Sequence, residues 1–158
     1  MKKCDFNCFL RDQSFDTIIN NETNFNLYLK DITHSNIRWF LDKTIIDDTI
    51  QIREWSLNNK NNLYILWLKE DYCDIHNVFL MKCLYIGKGE LSKRIVNHFK
   101  SKDFSDEMLI YFTSFRTENR KSKYIEQLLL DIYKTPFNKK ENGGQKILYE
   151  YFTQNEVD

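Results

Sequence analysis

From residue 63 onward, apolar positions fall into short continuous runs and helical stripes, separated by polar stretches. LYILWL (63–68) is an apolar run of strand length and predicts a buried strand. KEDYCDIHN (69–77) is polar and reads as a loop, and VFLMKCLYIG (78–87) predicts a second strand like the first. Leu91, Ile95 and Phe99 then recur at i, i+4, i+8, one stripe of a helix over 91–99. LIYFTSF (109–115), rich in aromatics and Thr, predicts a third strand. A longer helix follows to about Tyr133, capped by Thr117 or Asn119 and burying Ile125, Leu128, Leu129 and Ile132. Thr135-Pro136 stops it, because the residue before proline avoids helical angles. Asn142-Gly143-Gly144 reads as a turn, and 147–152 as a last short element.

The first sixty residues carry a weaker pattern. FNLYL (25–29) predicts a short strand, Ser35 is placed to cap a helix through NIRWFLDKTI (36–45), and a second helical stretch runs through Glu54 and Trp55. The polar run Asn58-Asn59-Lys60-Asn61-Asn62 is the best internal boundary. The order after it is β–β–α–β–α, with the first two strands as a hairpin and the helices covering the sheet. This predicts a small α/β (more narrowly α+β) domain over 62–146, with a central three-stranded, mainly antiparallel sheet flanked by helices. A helical extension (1–61) precedes it and a tail (147–158) follows.

Composition adds bounds. With 42% hydrophobic residues and 15% aromatics, the 158-residue chain can bury a core. The net charge is zero but unevenly spread. Residues 1–59 hold seven Lys and Arg against nine Asp and Glu; residues 60–146 hold sixteen against eleven; residues 147–158 hold none against three. The basic excess therefore lies in the middle segment, which suits a polyanionic partner there. The start, MKKCDFNCFLRD, has no apolar h-region, and no apolar run has membrane-spanning length. Four cysteines in that setting predict reduced thiols in the cytoplasm. Cys4-x3-Cys8 and Cys73-x2-His76 have spacings zinc accepts, but they lie far apart and neither is a common pairing. Cys83, inside a strand run, reads as a buried hydrophobe.

CLYIGKGELSKRIVNHF (83–99) crowds candidate chemistry into one turn: Tyr85, Gly87, Lys88, then Arg94 and His98 four apart on one helix face. Tyr64 stands in the first strand, Glu126 on the flank of the second helix's apolar stripe, and Asn138 just past Pro136. Each residue alone has a plain structural role: a core aromatic, a solvated charge, a turn residue. The ordered set is the signal.

That set resembles the GIY-YIG nuclease family, named for two short strand motifs. Here they are Asn62-Leu63-Tyr64 and Tyr85-Ile86-Gly87, followed by Arg94-x3-His98, a helical Glu126 and Asn138. The resemblance covers roughly 62–140. Leu63 and Asn62 depart from the first motif, which retains Tyr64, and the linker between the motifs is long. The resemblance implies a DNA endonuclease, with RNA also open as substrate and a homodimer as one way to cut both strands. It implies Mg²⁺ or Mn²⁺ on Glu126, since one carboxylate plus waters and phosphate oxygens suits such an ion. Arg94 would fork onto the phosphate, and Tyr64 would take a proton from the attacking water, aided by His98. An ordinary phenol is too weakly acidic for that, so Lys88 and the ion would have to lower its pKa. Tyr85 and Asn138 would orient the phosphate and hold the site, and Gly87, Lys93 and Lys100 would contact the substrate.

A restriction-type or mobile-element setting fits a small chain of this kind. A nuclease toxin held by an immunity partner, or a module that binds nucleic acid without cutting it, are the alternatives. In the extension, Arg38, Trp39, Lys43, Arg53 and Trp55 are placed to meet DNA, yet its net negative charge suits a scaffold or partner surface equally well.

Overall fold

The structure, a computed structural model, describes residues 12–35, 37–41, 62–89, 109–138 and 143–157. Two helices come first, α1 (Ser14–Glu22) and α2 (Leu29–Thr33). They are followed by β1 (Arg38–Leu41), β2 (Asn62–Cys73), β3 (Val78–Gly89) and β4 (Leu109–Arg116). Helix α3 (Asn119–Ile132), β5 (Tyr149–Thr153) and α4 (Gln154–Val157) complete the order. Among the described residues the strands form one sheet in the order β1-β4-β2-β3-β5, with each neighbouring pair antiparallel.

The class is α+β, but the sheet has five strands rather than the expected three. The three central strands are the three predicted apolar runs. The added ones cover their edges, where unpaired backbone N–H and C=O groups would otherwise lie open. RWFL, expected inside a helix capped by Ser35, is instead β1, paired with β4 from Arg38↔Phe112 to Leu41↔Leu109. Tyr149–Thr153, expected in a tail, pairs with the first residues of β3. FNLYL is not a strand: 25–28 are irregular and Leu29 opens α2.

The polar stretch read as a loop over 69–77 is mostly strand. β2 runs to Cys73, and only 74–77 turn, with Asn77 at a φ of 53°. Pairing with β3 carries the exposed Lys69 and Asp71, Glu70 is skipped between them, and register shifts at Leu66/Trp67 and Lys69/Asp71 break the alternation that marks a strand. The N-cap of α3 is Glu118 rather than Thr117 or Asn119. The expected helices over 91–99 and around Glu54 and Trp55 lie outside the described residues.

One face of the sheet carries the main core. Leu63, Ile65 and Trp67 of β2 and Met81 and Cys83 of β3 pack with Ile125, Leu128 and Leu129 of α3. Phe15, Ile19, Leu29 and Ile32 of α1 and α2 join the same cluster, so residues on both sides of the Asn58–Asn62 boundary share one core. The Trp67 indole satisfies its buried N–H by donating to Thr113 Oγ1 at 2.9 Å. Cys83 is fully buried, and burial pushes its thiol pKa up, as befits a packing residue.

Polar contacts tie the segment before the sheet to the chain's last elements. His34, which ends α2, lies between two carboxylates: Nε2 is 2.7 Å from Glu150 Oε2 on β5, and Nδ1 is 2.5 Å from Glu156 Oε2 on α4. Its ring packs on Phe152, with centroids 4.4 Å apart. Burial pulls the His34 pKa down, but hydrogen bonds to Glu150 and Glu156 and their charges outweigh it and raise it above the ordinary value. Near Tyr133, Asp12 accepts from the buried phenol at 2.9 Å and from Lys146 at 3.0 Å. Gly144 packs against the Tyr133 backbone so closely that a Cβ would stand 2.2 Å from the Tyr133 carbonyl carbon, which explains a glycine there.

Candidate active site

The two short motifs are cross-strand partners. Antiparallel register sets Tyr64 opposite Gly87 on one side and Ser114 on the other. Side chains alternate along a strand, so Tyr64, Leu66, Tyr85 and Gly87 share one face while Leu63, Ile65 and Lys88 share the other. The Tyr64 and Tyr85 rings stack, with centroids 5.8 Å apart and planes 29° apart.

Gly87 is what allows this. A Cβ there would lie 2.6 Å from Tyr85 Cε1 and 2.7 Å from Tyr64 Oη. No side chain fits those distances, so the Tyr64 ring lies directly over a bare backbone. The two tyrosines differ in access: Tyr64 is fully buried, whereas Tyr85 is half-buried.

Asn138 holds the second motif from the side. Its Nδ2 donates to the Ile86 carbonyl at 2.9 Å, and its Oδ1 accepts from the Ile86 N–H at 3.0 Å. Thr135 Oγ1 donates to the same Oδ1, and the Phe137 N–H donates to Leu84 O at 2.9 Å. The residues after α3 thus continue the edge pairing that β5 begins, since the Cys83 N–H donates to Leu148 O. The Asn138 amide is thus engaged with the Ile86 backbone.

Lys88 points away from Tyr64. It lies on the α3 face, and its Nζ donates to Asn119 Oδ1 at 2.6 Å at the start of that helix. The expectation that Lys88 lowers the Tyr64 pKa therefore meets an ammonium bound to α3 on the opposite side of the sheet. Glu126 also belongs to α3, half-buried beside Ile125. So Tyr64, Tyr85 and Gly87 gather on one face, Lys88 and Glu126 go with the helix on the other, and Asn138 sits at the β3 edge. Lys93, Arg94, His98 and Lys100 lie outside the described residues, as do Cys4 and Cys8. Cys73 Sγ is 3.6 Å from His76 Nδ1 beside the hairpin turn.

Among the described residues no three His, Cys, Asp or Glu side chains cluster as a metal centre. A hard, hydrated ion needs no such cluster, since one or two carboxylates with waters and phosphate oxygens suffice, and the half-buried Glu126 supplies a carboxylate of that kind. No helix among the described residues is long and apolar enough to cross a membrane. A cavity of about 260 Å³ lies between Asp12, Asp16, Tyr28, Tyr133 and Tyr149. It borders the β5 end of β3, where Lys82 pairs with Tyr149. Gly87 is five residues further along that strand, roughly 16 Å away. The cavity's Asp12 and Glu150 are already engaged by Lys146, Tyr133 and His34.

Sequence reasoning missed Thr135 and Asn119. Thr135 was visible only as the residue before a helix-stopping proline, and Asn119 only as a capping candidate. No protein-family model matches the chain, and neither does any curated protein or solved structure.

Proposed function

We propose that the chain is a metal-dependent endonuclease that hydrolyses phosphodiester bonds in DNA, in the manner of the GIY-YIG family it resembles. The observation that carries this reading is the register that puts Tyr64 across from Gly87 and stacks it on Tyr85. Two motifs separated by a long linker become one constellation, and a glycine at the contact is what that constellation requires.

In this reading Tyr85, half-open to solvent, donates its phenolic hydrogen to a phosphate oxygen. Tyr64 takes the proton of the attacking water as a phenolate, which the bound ion would have to favour, since Lys88 is turned to Asn119 on the opposite face. The loss of that role costs about 10²–10⁴-fold in rate. Arg94 forks onto the phosphate and stabilises the charge that develops there. His98 orients the water. Asn138 and Thr135 hold the strand that carries Tyr85. Glu126 is the residue that would hold Mg²⁺ or Mn²⁺, and the bound ion would neutralise charge on the phosphate and leaving oxygen. Its helix packs on the face opposite Tyr64, so one phosphate would have to reach both around the Gly87 end of the strands.

One observation favours a second reading, a module that binds nucleic acid without cutting it: the Tyr64 side chain is fully buried. A proton acceptor must come within hydrogen-bond reach of its water. Incubating the protein and its Tyr64→Phe and Tyr85→Phe variants with supercoiled plasmid and Mg²⁺ separates the two. Cleavage lost in Tyr64→Phe supports the endonuclease. Cleavage unchanged in both variants removes the two tyrosines from the chemistry.

A further inference from the structure

Residues 116–123, RTENRKSK, hold Arg116, Arg120, Lys121 and Lys123 against one acid, Glu118. They join the last residue of β4 to the first turn of α3. Asn62 pairs with both Gly89 and Arg116, so the start of β2 and the ends of β3 and β4 meet at one end of the sheet. Lys88 reaches the same place through its bond to Asn119.

The arrangement is electrostatically costly. Glu118 at the N-cap is the one acid at the positive end of α3, and the first turn beyond it holds Arg120 and Lys121 but no acid, where the helix dipole disfavours cations. Arg116, Arg120 and Lys123 are exposed, and among the described residues none is in an ion pair. Lys121 lies over the Phe25 ring, 5.0 Å from its centroid. Like charges gathered without partners against a dipole call for an external anion.

We propose that this end of the sheet is a docking face for the phosphodiester backbone of nucleic acid, with Arg116, Arg120 and Lys123 as its phosphate contacts. The inference rests on the nucleic-acid reading above and deepens it. Continuity with the candidate site supports it: Arg116 stands two residues beyond Ser114, the partner of Tyr64, so it shares the Tyr64 face roughly 7 Å further along. A strand seated on Arg116 runs toward Tyr64 and Tyr85. A membrane is the poorer occupant, because surface binding to lipid also needs apolar side chains to insert. Of the exposed large hydrophobics among the described residues, Ile75 lies in the turn at the other end of β2, and Tyr28, Ile147 and Tyr149 line the cavity beside β5. Phosphate contacts of this kind position the duplex without reading its sequence.

The test is the salt dependence of binding to a labelled 20-base-pair duplex in EDTA. Wild type is compared with an Arg116→Gln/Arg120→Gln/Lys123→Gln triple variant. A Lys30→Gln/Lys134→Gln variant serves as control, with thermal melts to confirm folding. Each lost phosphate contact lowers the slope of log K against log salt by about 0.9, so the triple variant should lose about 2–3 in slope and tenfold or more in affinity at 0.1 M salt. The control keeps the wild-type slope. A folded triple variant with an unchanged slope overturns the proposal. So does a wild type that binds no duplex, or one that binds anionic vesicles in preference to it. Plasmid cleavage with Mg²⁺ is scored separately. Cleavage with an unchanged slope sinks the docking face alone, and a reduced slope without cleavage sinks the endonuclease alone.

Discussion

Replacing His34 with Ala should destabilise the protein heavily and in a pH-dependent way. His34 faces Glu150, which is 2% exposed, across 2.7 Å. Removing one partner of a buried ion pair costs about 3–5 kcal/mol, because the remaining charge stays in a poorly solvating site. For a chain of this size each kcal/mol shifts Tm by roughly 2–4 °C, so the expected loss is about 6–20 °C. Glu156 is more exposed and solvent screens it, so Glu156→Gln should cost about 1 kcal/mol or less. The pH dependence follows from the signs. The folded-state pKa of His34 lies above the ordinary 6.5, so its contribution is complete below pH 6.5 and fades as pH climbs through the raised value. Burial raises the pKa of Glu156, but its hydrogen bonds with His34 and Thr153 outweigh this and hold it below 4.5. Its share is therefore present above pH 4.5 and fades as pH falls through the lowered value. The gap between wild type and His34→Ala should be widest between pH 4.5 and 6.5 and narrow on either side. Urea unfolding followed by tryptophan fluorescence across pH 4–9 measures it. A gap under about 1 kcal/mol at pH 6, or one that does not vary with pH, refutes the reasoning.

Two further substitutions probe the site and a third the core beneath it. Gly87→Ala places a methyl 2.6–2.8 Å from both tyrosine rings and should cost about 1–3 kcal/mol by overpacking, read as a lower urea midpoint. Asn138→Ala strips partners from the N–H and C=O of buried Ile86 and should cost about 2 kcal/mol, with faster hydrogen exchange at the Ile86 amide. Trp67→Phe removes the donor to Thr113 Oγ1 and part of a fully buried ring, and should cost about 2 kcal/mol in the same unfolding assay.

The central strands were legible because burial makes them continuous apolar runs, and LYILWL, VFLMKCLYIG and LIYFTSF all became strands of one sheet. The edges were not. RWFL has no pattern that separates a four-residue edge strand from a helix turn until β4 offers a partner. Lys69 and Asp71 are polar strand residues because pairing with β3, and not burial, holds them extended, with Glu70 skipped at the register shift between them. At the candidate site the hairpin of the two apolar runs was legible, but the register that sets Tyr64 across from Gly87 was not, because two continuous apolar runs do not fix their own offset. The direction of Lys88 was misread: it adjoins Gly87 on one strand and so faces the other way, toward Asn119 and not Tyr64. The Asn138 bonds to Ile86 and the His34 bridge were invisible, because their partners stand 52 to 122 residues away and local patterns carry no such information.

The central claim is phosphodiester hydrolysis that depends on Glu126. The most direct measurement is the rate at which supercoiled plasmid is nicked by wild type and by folded Glu126→Ala, each in Mg²⁺ and in EDTA. Nicking in Mg²⁺ that EDTA stops and Glu126→Ala lowers by about 10²-fold or more is the predicted result. Equal nicking by wild type and Glu126→Ala, or none by well-folded wild type in Mg²⁺, contradicts it.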